Sequence, residues 1–262
     1  MTVALQGRNL EKWFGGLHAI RDVSFTIEEG SLIGLIGPNG AGKSTLFNMF
    51  TNLYPPDKGT VEFYGKNLAG LTEDQIAHLG LIRTFQTARV FAEMTVLENV
   101  MAGAHLSVRS NPFAQTLCMP GVRREERKIR KKAEALLDLL ALSRYSSESA
   151  TDLPMGSQKL LELARAVMAG PRVLLLDEPA AGLNDSETAE LARLITAIRF
   201  AGTTIVVVEH NMSLVMGIAD YVLVIDAGRL IAEGPPKEIQ TNETVIEAYV
   251  GRGLDAVLAE AH

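Results

Sequence analysis

The sequence predicts an α/β protein whose core is a parallel or mixed sheet, with an added antiparallel β subdomain and a mostly helical insertion. Two observations support this fold class. Short runs of β-forming apolar residues recur along the chain, and helical patterns separate the later runs, as in sheets with parallel strands. The runs are Val23–Ile27, Leu32–Ile36, Val61–Tyr64, Val173–Asp177, Thr204–Val208 and Tyr221–Ile225. The part of the chain before residue 37 favours antiparallel β structure.

The helical insertion is predicted between residues 90 and 153, where β-branched runs are nearly absent. Apolar residues recur there three and four positions apart, at Ile129, Ala133, Leu136, Leu137 and Leu140. We interpret the basic run Arg123–Lys132 as the solvated face of this helix; contact with lipid headgroups or an acidic partner is the alternative. The core is therefore expected in residues 1–89 and 154–262, and the helical subdomain in residues 90–153.

Two segments are predicted to lie outside these units. Ser107–Gly121 contains Asn111-Pro112 and Pro120-Gly121, which are typical of turns, so we expect an exposed connection there. The last residues, Gly251–His262, are expected to form a frayed helix.

Composition excludes several classes of protein. The 262 residues are 47% hydrophobic and 21% charged, which is ordinary for a folded domain. The net charge of −6 argues against nucleic acid as a partner. Cys118 is the only cysteine, which excludes a disulfide framework and a zinc site of several thiolates. No apolar run reaches the roughly 18 residues of a membrane span, and the charged N-terminal residues argue against a signal peptide.

The strongest motif is rich in glycine and lies between a predicted strand and a predicted helix. It reads Gly37-Pro38-Asn39-Gly40-Ala41-Gly42-Lys43-Ser44-Thr45, which fits G-x-x-x-x-G-K-[ST]. Glycines let backbone N–H groups wrap a phosphate chain, and the start of the following helix adds positive potential. Lys43 is suited to bind the β- and γ-phosphates, and the Ser44 hydroxyl is suited to ligate Mg²⁺. By itself the motif predicts a nucleotide-binding protein, which leaves GTPases, small-molecule kinases and motors open.

A pair of carboxylates narrows this prediction. Asp177 and Glu178 follow four apolar residues that start at Val173. Asp177 is expected to complete the Mg²⁺ shell, and Glu178 is expected to polarise an attacking water. The apolar run before the pair and Pro179 after it argue against an ordinary solvated strand end.

Two further polar residues follow predicted strands. Gln86 comes after the short strand Gly80–Thr84, where an amide can reach a metal and a water. His210 comes after Thr204–Val208 and Glu209, where an imidazole can reach a γ-phosphate oxygen. Each is weak alone, since a lone histidine after a strand is more often structural. Their order along the chain relative to the two stronger motifs indicates nucleotide hydrolysis.

With these motifs in this order, the sequence resembles the ATP-binding-cassette (ABC) ATPase family over nearly its whole length. Gly37–Thr45 is similar to the family's Walker A motif and Val173–Glu178 to its Walker B motif. Gln86 matches the Q-loop, and His210 matches the switch histidine. Ala181-Gly182-Leu183-Asn184 resembles the D-loop, with Asn184 where the family usually has aspartate.

The resemblance implies a P-loop ATPase with a RecA-like nucleotide-binding core that works as one half of a dimer, with ATP and Mg²⁺ as its ligands. It implies catalytic roles for Glu178, His210 and Gln86. It also implies a metal site formed by Ser44, Gln86 and Asp177. Phe14, in Lys12-Trp13-Phe14-Gly15-Gly16, fits the aromatic residue that stacks on adenine.

The signature segment departs from the family pattern. The usual Leu-Ser-Gly-Gly-Gln corresponds here to Leu153-Pro154-Met155-Gly156-Ser157, in which only Leu153 and Gly156 match. The resemblance implies that Gly156 and Ser157 face the ATP of the partner subunit. Pro154 supplies neither the hydroxyl nor the backbone N–H of the usual serine.

Within the family, the sequence resembles the ATPase subunits of branched-chain amino acid importers. The stretches that carry this resemblance are Phe14-Gly15-Gly16-Leu17, Arg83-Thr84-Phe85-Gln86, Asp177–Asn184 and Glu209-His210-Asn211-Met212. It implies two integral-membrane permease chains, a second ATPase subunit and an extracytoplasmic solute-binding protein. It also implies a peripheral location on the cytoplasmic face of the inner membrane.

Four alternatives remain open on the sequence. The chain could serve an importer of other amino acids or amides, an exporter, or a soluble ABC ATPase outside transport. Soluble members usually carry a long coiled-coil insertion or two cassettes in one chain, and this sequence has neither. A regulator that binds ATP without hydrolysing it is disfavoured by Glu178 and His210.

Overall fold

A computed structural model of the chain describes residues 2–84, 90–107 and 120–249. The strands in these ranges are β1 (Val3–Phe14), β2 (Leu17–Glu28), β3 (Leu32–Ile36), β4 (Lys58–Phe63), β5 (Lys66–Asn67), β6 (Leu81–Arg83), β7 (Val173–Asp177), β8 (Thr204–Val208), β9 (Tyr221–Asp226) and β10 (Arg229–Gly234). The α-helices include α1 (Lys43–Phe50), α2 (Glu73–Leu79), α3 (Val96–Ala102), α4 (Pro120–Leu139), α5 (Met155–Met168), α6 (Asp185–Phe200), α7 (Met212–Ile218) and α8 (Pro236–Gln240).

The strands form two sheets. A four-stranded antiparallel sheet has the order β2-β1-β4-β5. A six-stranded sheet has the order β10-β9-β3-β8-β7-β6, in which the strands from β9 to β6 are parallel and β10 is antiparallel to β9. The predicted α/β fold class with an antiparallel β subdomain is therefore confirmed. The subdomain also takes in β4 and β5, which follow the phosphate loop.

Three central strands, β3, β7 and β8, are buried along their whole length. Their alternating side chains enter different cores. Leu174 and Leu176 of β7 pack in a cluster with the helices of the insertion. Leu175 packs in a second cluster, which contains Phe47 of α1 and the apolar side of the antiparallel sheet. Burial on both faces explains why these strands have continuous apolar sequences.

The chain between residues 90 and 153 is helical where it is described, mainly in α3 and α4. Ala133, Leu137 and Leu140 are at most 4% exposed, which confirms the predicted apolar face. The basic side chains between Arg127 and Lys132 are exposed on the opposite face, as expected for a solvated helix. None of the described helices has the length and apolarity needed to cross a bilayer.

The predicted turn at Pro120-Gly121 is wrong, because these residues begin α4. Proline suits the first turn of a helix, where its missing N–H costs no hydrogen bond and its φ is already helical. Residues 108–119 and the tail from residue 250 lie outside the described residues, so the expectations for them are not tested.

The hairpin turn between β9 and β10 braces the phosphate loop. Gly228 donates its N–H to the Ala41 carbonyl at 2.8 Å and accepts from the Arg21 N–H at 2.7 Å. Its φ is +78°, and a Cβ atom there would lie 2.4 Å from the Ala19 carbonyl oxygen. This close approach of three backbone segments excludes any side chain at Gly228.

We expect Gly228→Ala to lower the free energy of unfolding more than Gly65→Ala does. Gly65 is a matched control, because it lies in the β4–β5 hairpin turn with φ +75°, and a Cβ atom added there would meet no atom within 4 Å. Both variants carry the roughly 1–2 kcal/mol cost of a left-handed alanine. Only Gly228→Ala adds a clash with backbone, worth about 1–3 kcal/mol more. Denaturant unfolding measures the difference, and equal losses would contradict the bracing role.

Candidate active site

The predicted functional residues follow three neighbouring strands of the six-stranded sheet. β3 and β7 both pair in parallel with β8. The phosphate loop follows β3, Glu178 follows β7, and His210 follows β8 after one residue. Parallel strands present their carboxyl ends at one edge of the sheet, which is where ligands bind in such folds. The fold therefore brings these groups together.

The phosphate loop, residues 37–42, connects β3 to α1. Gly37 has φ +153°, and a Cβ atom there would lie 2.0 Å from the Ile225 carbonyl oxygen, so only glycine fits. Gly42 is the N-cap of α1 with φ +106°, and its carbonyl accepts from the Leu46 N–H at 2.9 Å. The first N–H groups of α1 therefore face the loop, as in phosphate-binding loops generally.

Lys43 is held inside the loop that it serves. Its side chain donates from Nζ to the Gly37 carbonyl at 2.7 Å and to the Pro38 carbonyl at 2.9 Å. The residue is only 5% exposed. A buried ammonium needs hydrogen-bond acceptors, and these two carbonyls provide them. Phosphate oxygens bound in the loop could take their place.

A cleft of about 640 Å³ lies over the phosphate loop, a volume within the range of small-molecule sites. Predicted residues from separate parts of the chain meet in it: Phe14, Asn39–Thr45, Glu178 and His210. Sequence reasoning missed the other residues that line it, which are Leu17, His18, Ala19, Arg21, Ala227 and Gly228. They come from the start of β2 and from the β9–β10 turn, whose position over the loop has no local signal in the sequence.

Phe14 lies at the rim of this cleft. It ends β1, is 41% exposed, and meets the ring of Tyr54 edge-on at 5.3 Å. An exposed aromatic ring beside a phosphate-binding loop can stack on a base. The structure therefore places Phe14 where the sequence predicts an adenine contact, although the contact itself remains a prediction.

Glu178 and His210, two of the three predicted catalytic residues, contact each other. His210 Nε2 lies 2.6 Å from Glu178 Oε1. Glu178 also has φ +46°, a left-handed conformation that costs roughly 1–3 kcal/mol for a residue other than glycine. Its N–H donates to the Val208 carbonyl at 2.9 Å, so this strained turn is tied to the end of β8.

Asp177 is paired with an arginine that sequence analysis had not assigned a role. Arg83 Nη2 donates to Asp177 Oδ2 at 2.6 Å, and its Nη1 contacts Asn48 Oδ1. The guanidinium also lies over the Phe47 ring, with its central carbon 4.9 Å from the ring centroid. Asp177 is 7% exposed, and a buried carboxylate without a metal needs such a counter-charge.

The chemistry of Ser44 and Asp177 fits Mg²⁺, which prefers oxygen ligands. Ser44 is exposed at the start of α1, and Arg83 engages only Oδ2 of Asp177 among the described contacts. No group of three His, Cys, Asp or Glu side chains within the described ranges is arranged for a metal. Gln86, the third predicted ligand, lies outside the described residues.

The signature segment is separate from the cleft. Gly156 and Ser157 lie in the first turn of α5, and neither is among the described residues that line the cleft. A Cβ atom at Gly156 would lie 2.7 Å from Glu187 Oε1, which is the end of a flexible side chain. Pro154 is the N-cap of α5, and no side-chain hydrogen bond caps this helix. The predicted contact with a partner's ATP remains untested.

Two charged residues beside Glu178 also escaped sequence reasoning. Glu209 is 3% exposed. Lys159 donates from Nζ to the Ala181 carbonyl and, at 3.4 Å, to the Glu178 carbonyl. Burial lowers the pKa of Lys159, and the nearby carboxylates, Glu209 among them, oppose this shift. The sequence alone does not indicate whether a charged residue next to a motif points into the protein or toward solvent.

Comparisons with known proteins agree with this geometry. A family model described as ABC transporter matches residues 20–181, and a model described as branched-chain amino acid ATP-binding cassette transporter matches residues 229–255. A solved ATP-binding cassette of an ABC transporter, in its ADP conformation, superposes with a TM-score of 0.82 and 32% identity. The match covers 96% of this chain and 100% of that chain.

Curated relatives match over almost their whole length. The high-affinity branched-chain amino acid transport ATP-binding protein LivG of Salmonella typhimurium is 44% identical over 239 residues, which cover 91% of this chain and 94% of LivG. The protein of the same description called BraF, from Pseudomonas aeruginosa, is 42% identical over 248 residues, which cover 94% and 97%. With its phosphate-loop motif, Glu178 and His210 lining one cleft, the chain belongs to the ABC transporter family as one of its ATP-binding cassettes.

Proposed function

We propose that the chain is the ATP-hydrolysing subunit of an importer of branched-chain amino acids. The observation that carries the enzymatic part is the meeting of the phosphate loop, Glu178 and His210 in one cleft. The substrate is inferred from similarity to LivG and BraF, whose names describe branched-chain amino acid transport. In this proposal the chain works on the cytoplasmic face of the inner membrane.

ATP binds with its phosphates in the loop Gly37–Thr45 and its adenine against Phe14. Lys43 then exchanges the carbonyls of Gly37 and Pro38, at 2.7 and 2.9 Å, for β- and γ-phosphate oxygens. Hydrogen bonds between two charged groups are stronger than those to neutral carbonyls, so this exchange favours binding.

Ser44, Asp177 and Gln86 would hold Mg²⁺ together with the phosphates of the nucleotide. When bound, it neutralises the charge that develops on the phosphate oxygens during transfer. Asp177 can serve it without leaving Arg83, because the two carboxylate oxygens can face different partners. Ser44 lies in the first turn of α1, from which its hydroxyl would reach the metal.

Glu178 acts as the general base for hydrolysis. It accepts a proton from water as the water oxygen bonds to the γ-phosphorus and the bond to the ADP oxygen breaks, giving ADP and phosphate. The 2.6 Å contact with His210 opens when the imidazole leaves Oε1 for the nucleotide, and both oxygens of Glu178 can then face water. His210 then turns to a γ-phosphate oxygen, so the presence of ATP releases the base.

The partners follow from the remaining surfaces. By resemblance to the family's signature segment, Gly156 and Ser157 face the ATP of a second ABC ATPase subunit; they lie away from the chain's own cleft. One of two integral-membrane permease chains docks at the groove between core and insertion, which has a volume of about 380 Å³ and is lined by residues including Thr84, Phe91 and Arg165. An extracytoplasmic solute-binding protein delivers the amino acid to these permeases. No nucleic acid takes part.

Glu178→Gln is expected to bind ATP but to hydrolyse it roughly 10²–10⁴-fold more slowly, because the amide keeps the shape of the side chain and loses its basicity. Glu190→Gln, at an exposed position on α6, is the matched control and should behave like the wild type. Steady-state ATPase rates and calorimetric ATP titrations measure the two effects. Wild-type turnover in Glu178→Gln would exclude Glu178 as the base.

A second variant tests whether the two ATP sites of the dimer are unequal. Pro154→Ser combined with Met155→Gly restores a hydroxyl and a backbone N–H to the signature segment. A hydrogen bond to a charged group contributes roughly 1.5–3 kcal/mol, so ATPase in the full assembly should rise several-fold. No change, or a loss, would mean that the native segment already binds the partner's γ-phosphate adequately.

The substrate is tested by reconstituting the chain with its permeases and solute-binding protein in vesicles. Leucine, isoleucine and valine should each stimulate ATP hydrolysis, whereas amides and charged amino acids should not. Glu178→Gln in the same vesicles is the control for background ATPase. Stimulation by a different class of solute would overturn the substrate and leave the ATPase assignment intact.

A further inference from the structure

Glu209 is a buried carboxylate between β8 and His210, and both of its oxygens are engaged. Oε1 accepts from the Ala180 N–H at 2.6 Å. Oε2 accepts from the N–H groups of His210, at 3.1 Å, and Asn211, at 3.4 Å. The residue is 3% exposed. One side chain therefore binds the backbone of two different loops.

These two loops carry the predicted catalytic groups. Ala180 lies two residues after Glu178, and His210 directly follows Glu209. The loops are also joined by the N–H of Glu178, which donates to the Val208 carbonyl at 2.9 Å, and by the contact between Glu178 and His210 side chains at 2.6 Å. Only the last of these links must break for hydrolysis.

The segment after Glu178 is held from two sides. On one side, the carboxylate of Glu209 accepts from the Ala180 N–H. On the other side, Lys159 of α5 donates to the carbonyls of Glu178 and Ala181. The charges of Glu209 and Lys159 attract each other. This clamp holds the backbone of the strained turn at Glu178.

We propose that Glu209 is a positioning residue that keeps the loops of Glu178 and His210 in register while their side chains separate around the phosphate. The inference rests on the proposed roles of these two residues. A carboxylate is suited to this task, because it can accept hydrogen bonds on both oxygens in opposite directions. If Glu209 only stabilised the fold, replacing it would lower the free energy of unfolding. It would have no specific effect on the rate of ATP hydrolysis through these two loops.

Glu209→Gln tests the bridge with little change of shape. Glutamine has one acceptor oxygen and an amide that only donates, so it can bind Ala180 or the His210 turn but not both. Hydrogen exchange of the Ala180, His210 and Asn211 amides is expected to rise roughly tenfold or more in at least one of the loops. This measurement needs no catalysis, so it tests the bridge independently of the proposed function.

Turnover tests the consequence. ATP affinity of Glu209→Gln should stay within about twofold of the wild type, because Glu209 is not among the described residues that line the cleft. The maximal rate should fall roughly tenfold or more, since a small misplacement of catalytic groups is costly. Glu209→Asp keeps the charge but is one methylene shorter, so we expect its maximal rate to fall as well. It provides the test if Glu209→Gln does not fold.

Asp220→Asn is the matched control. Asp220 also accepts from a backbone N–H, that of Leu32 at 2.8 Å, and pairs with Arg199 at 2.8 Å, but it lies at the opposite edge of the sheet. We expect Asp220→Asn to lower the free energy of unfolding. It should not show the fall in maximal ATPase rate at unchanged ATP affinity that is expected for Glu209→Gln. A wild-type rate in both Glu209 variants, or an equal loss of rate in Asp220→Asn, would overturn the proposal. Wild-type turnover in Glu178→Gln would instead overturn the underlying assignment.

Discussion

The parallel pairing of β3, β8 and β7 is the constraint on which the rest of the structure depends. These strands are buried on both faces, so their apolar side chains fix the register of the strands and keep the sheet inside the core. The loops that leave their carboxyl ends must then meet at one edge. Gly37 illustrates how tight this edge is, because its Cα approaches the Ile225 carbonyl too closely for any side chain.

A second consequence is that the charged groups of the cleft are paired within the protein. Lys43 binds loop carbonyls, Asp177 binds Arg83, and Glu178 contacts His210. Burying these charges without partners would be costly. In the proposed function, nucleotide replaces the internal partners of Lys43 and His210, whereas Asp177 keeps Arg83. That exchange would couple the release of Glu178 to the presence of nucleotide.

Much of this fold could be predicted from the sequence because its central strands are buried and short. The bounds of β3, β7 and β8 agree with the predicted runs, since continuous apolar sequence is what burial on both faces requires. The phosphate loop could be predicted because its backbone geometry requires glycines and a lysine at fixed positions in the sequence. The apolar face of α4 followed from helical spacing.

The pairing of charges could not be predicted in the same way. Arg83 and Asp177 are far apart in the sequence, and only the adjacency of β6 and β7 brings them together. Glu209 looks like an ordinary residue before a histidine until β8 is placed beside β7. Pro120 was misread for a related reason, since the same residue type ends one helix and begins another. The contacts of Arg83 and Glu209 depend on tertiary structure that local pattern does not contain.

The central claim is that nucleotide replaces the internal partners of Lys43 and His210. A crystal structure of the Glu178→Gln variant with Mg²⁺ and ATP tests it most directly. The account predicts that Lys43 Nζ has left the carbonyls of Gly37 and Pro38 for phosphate oxygens, and that His210 faces the γ-phosphate. Bound ATP with Lys43 still on those carbonyls, and His210 still on residue 178, would contradict it.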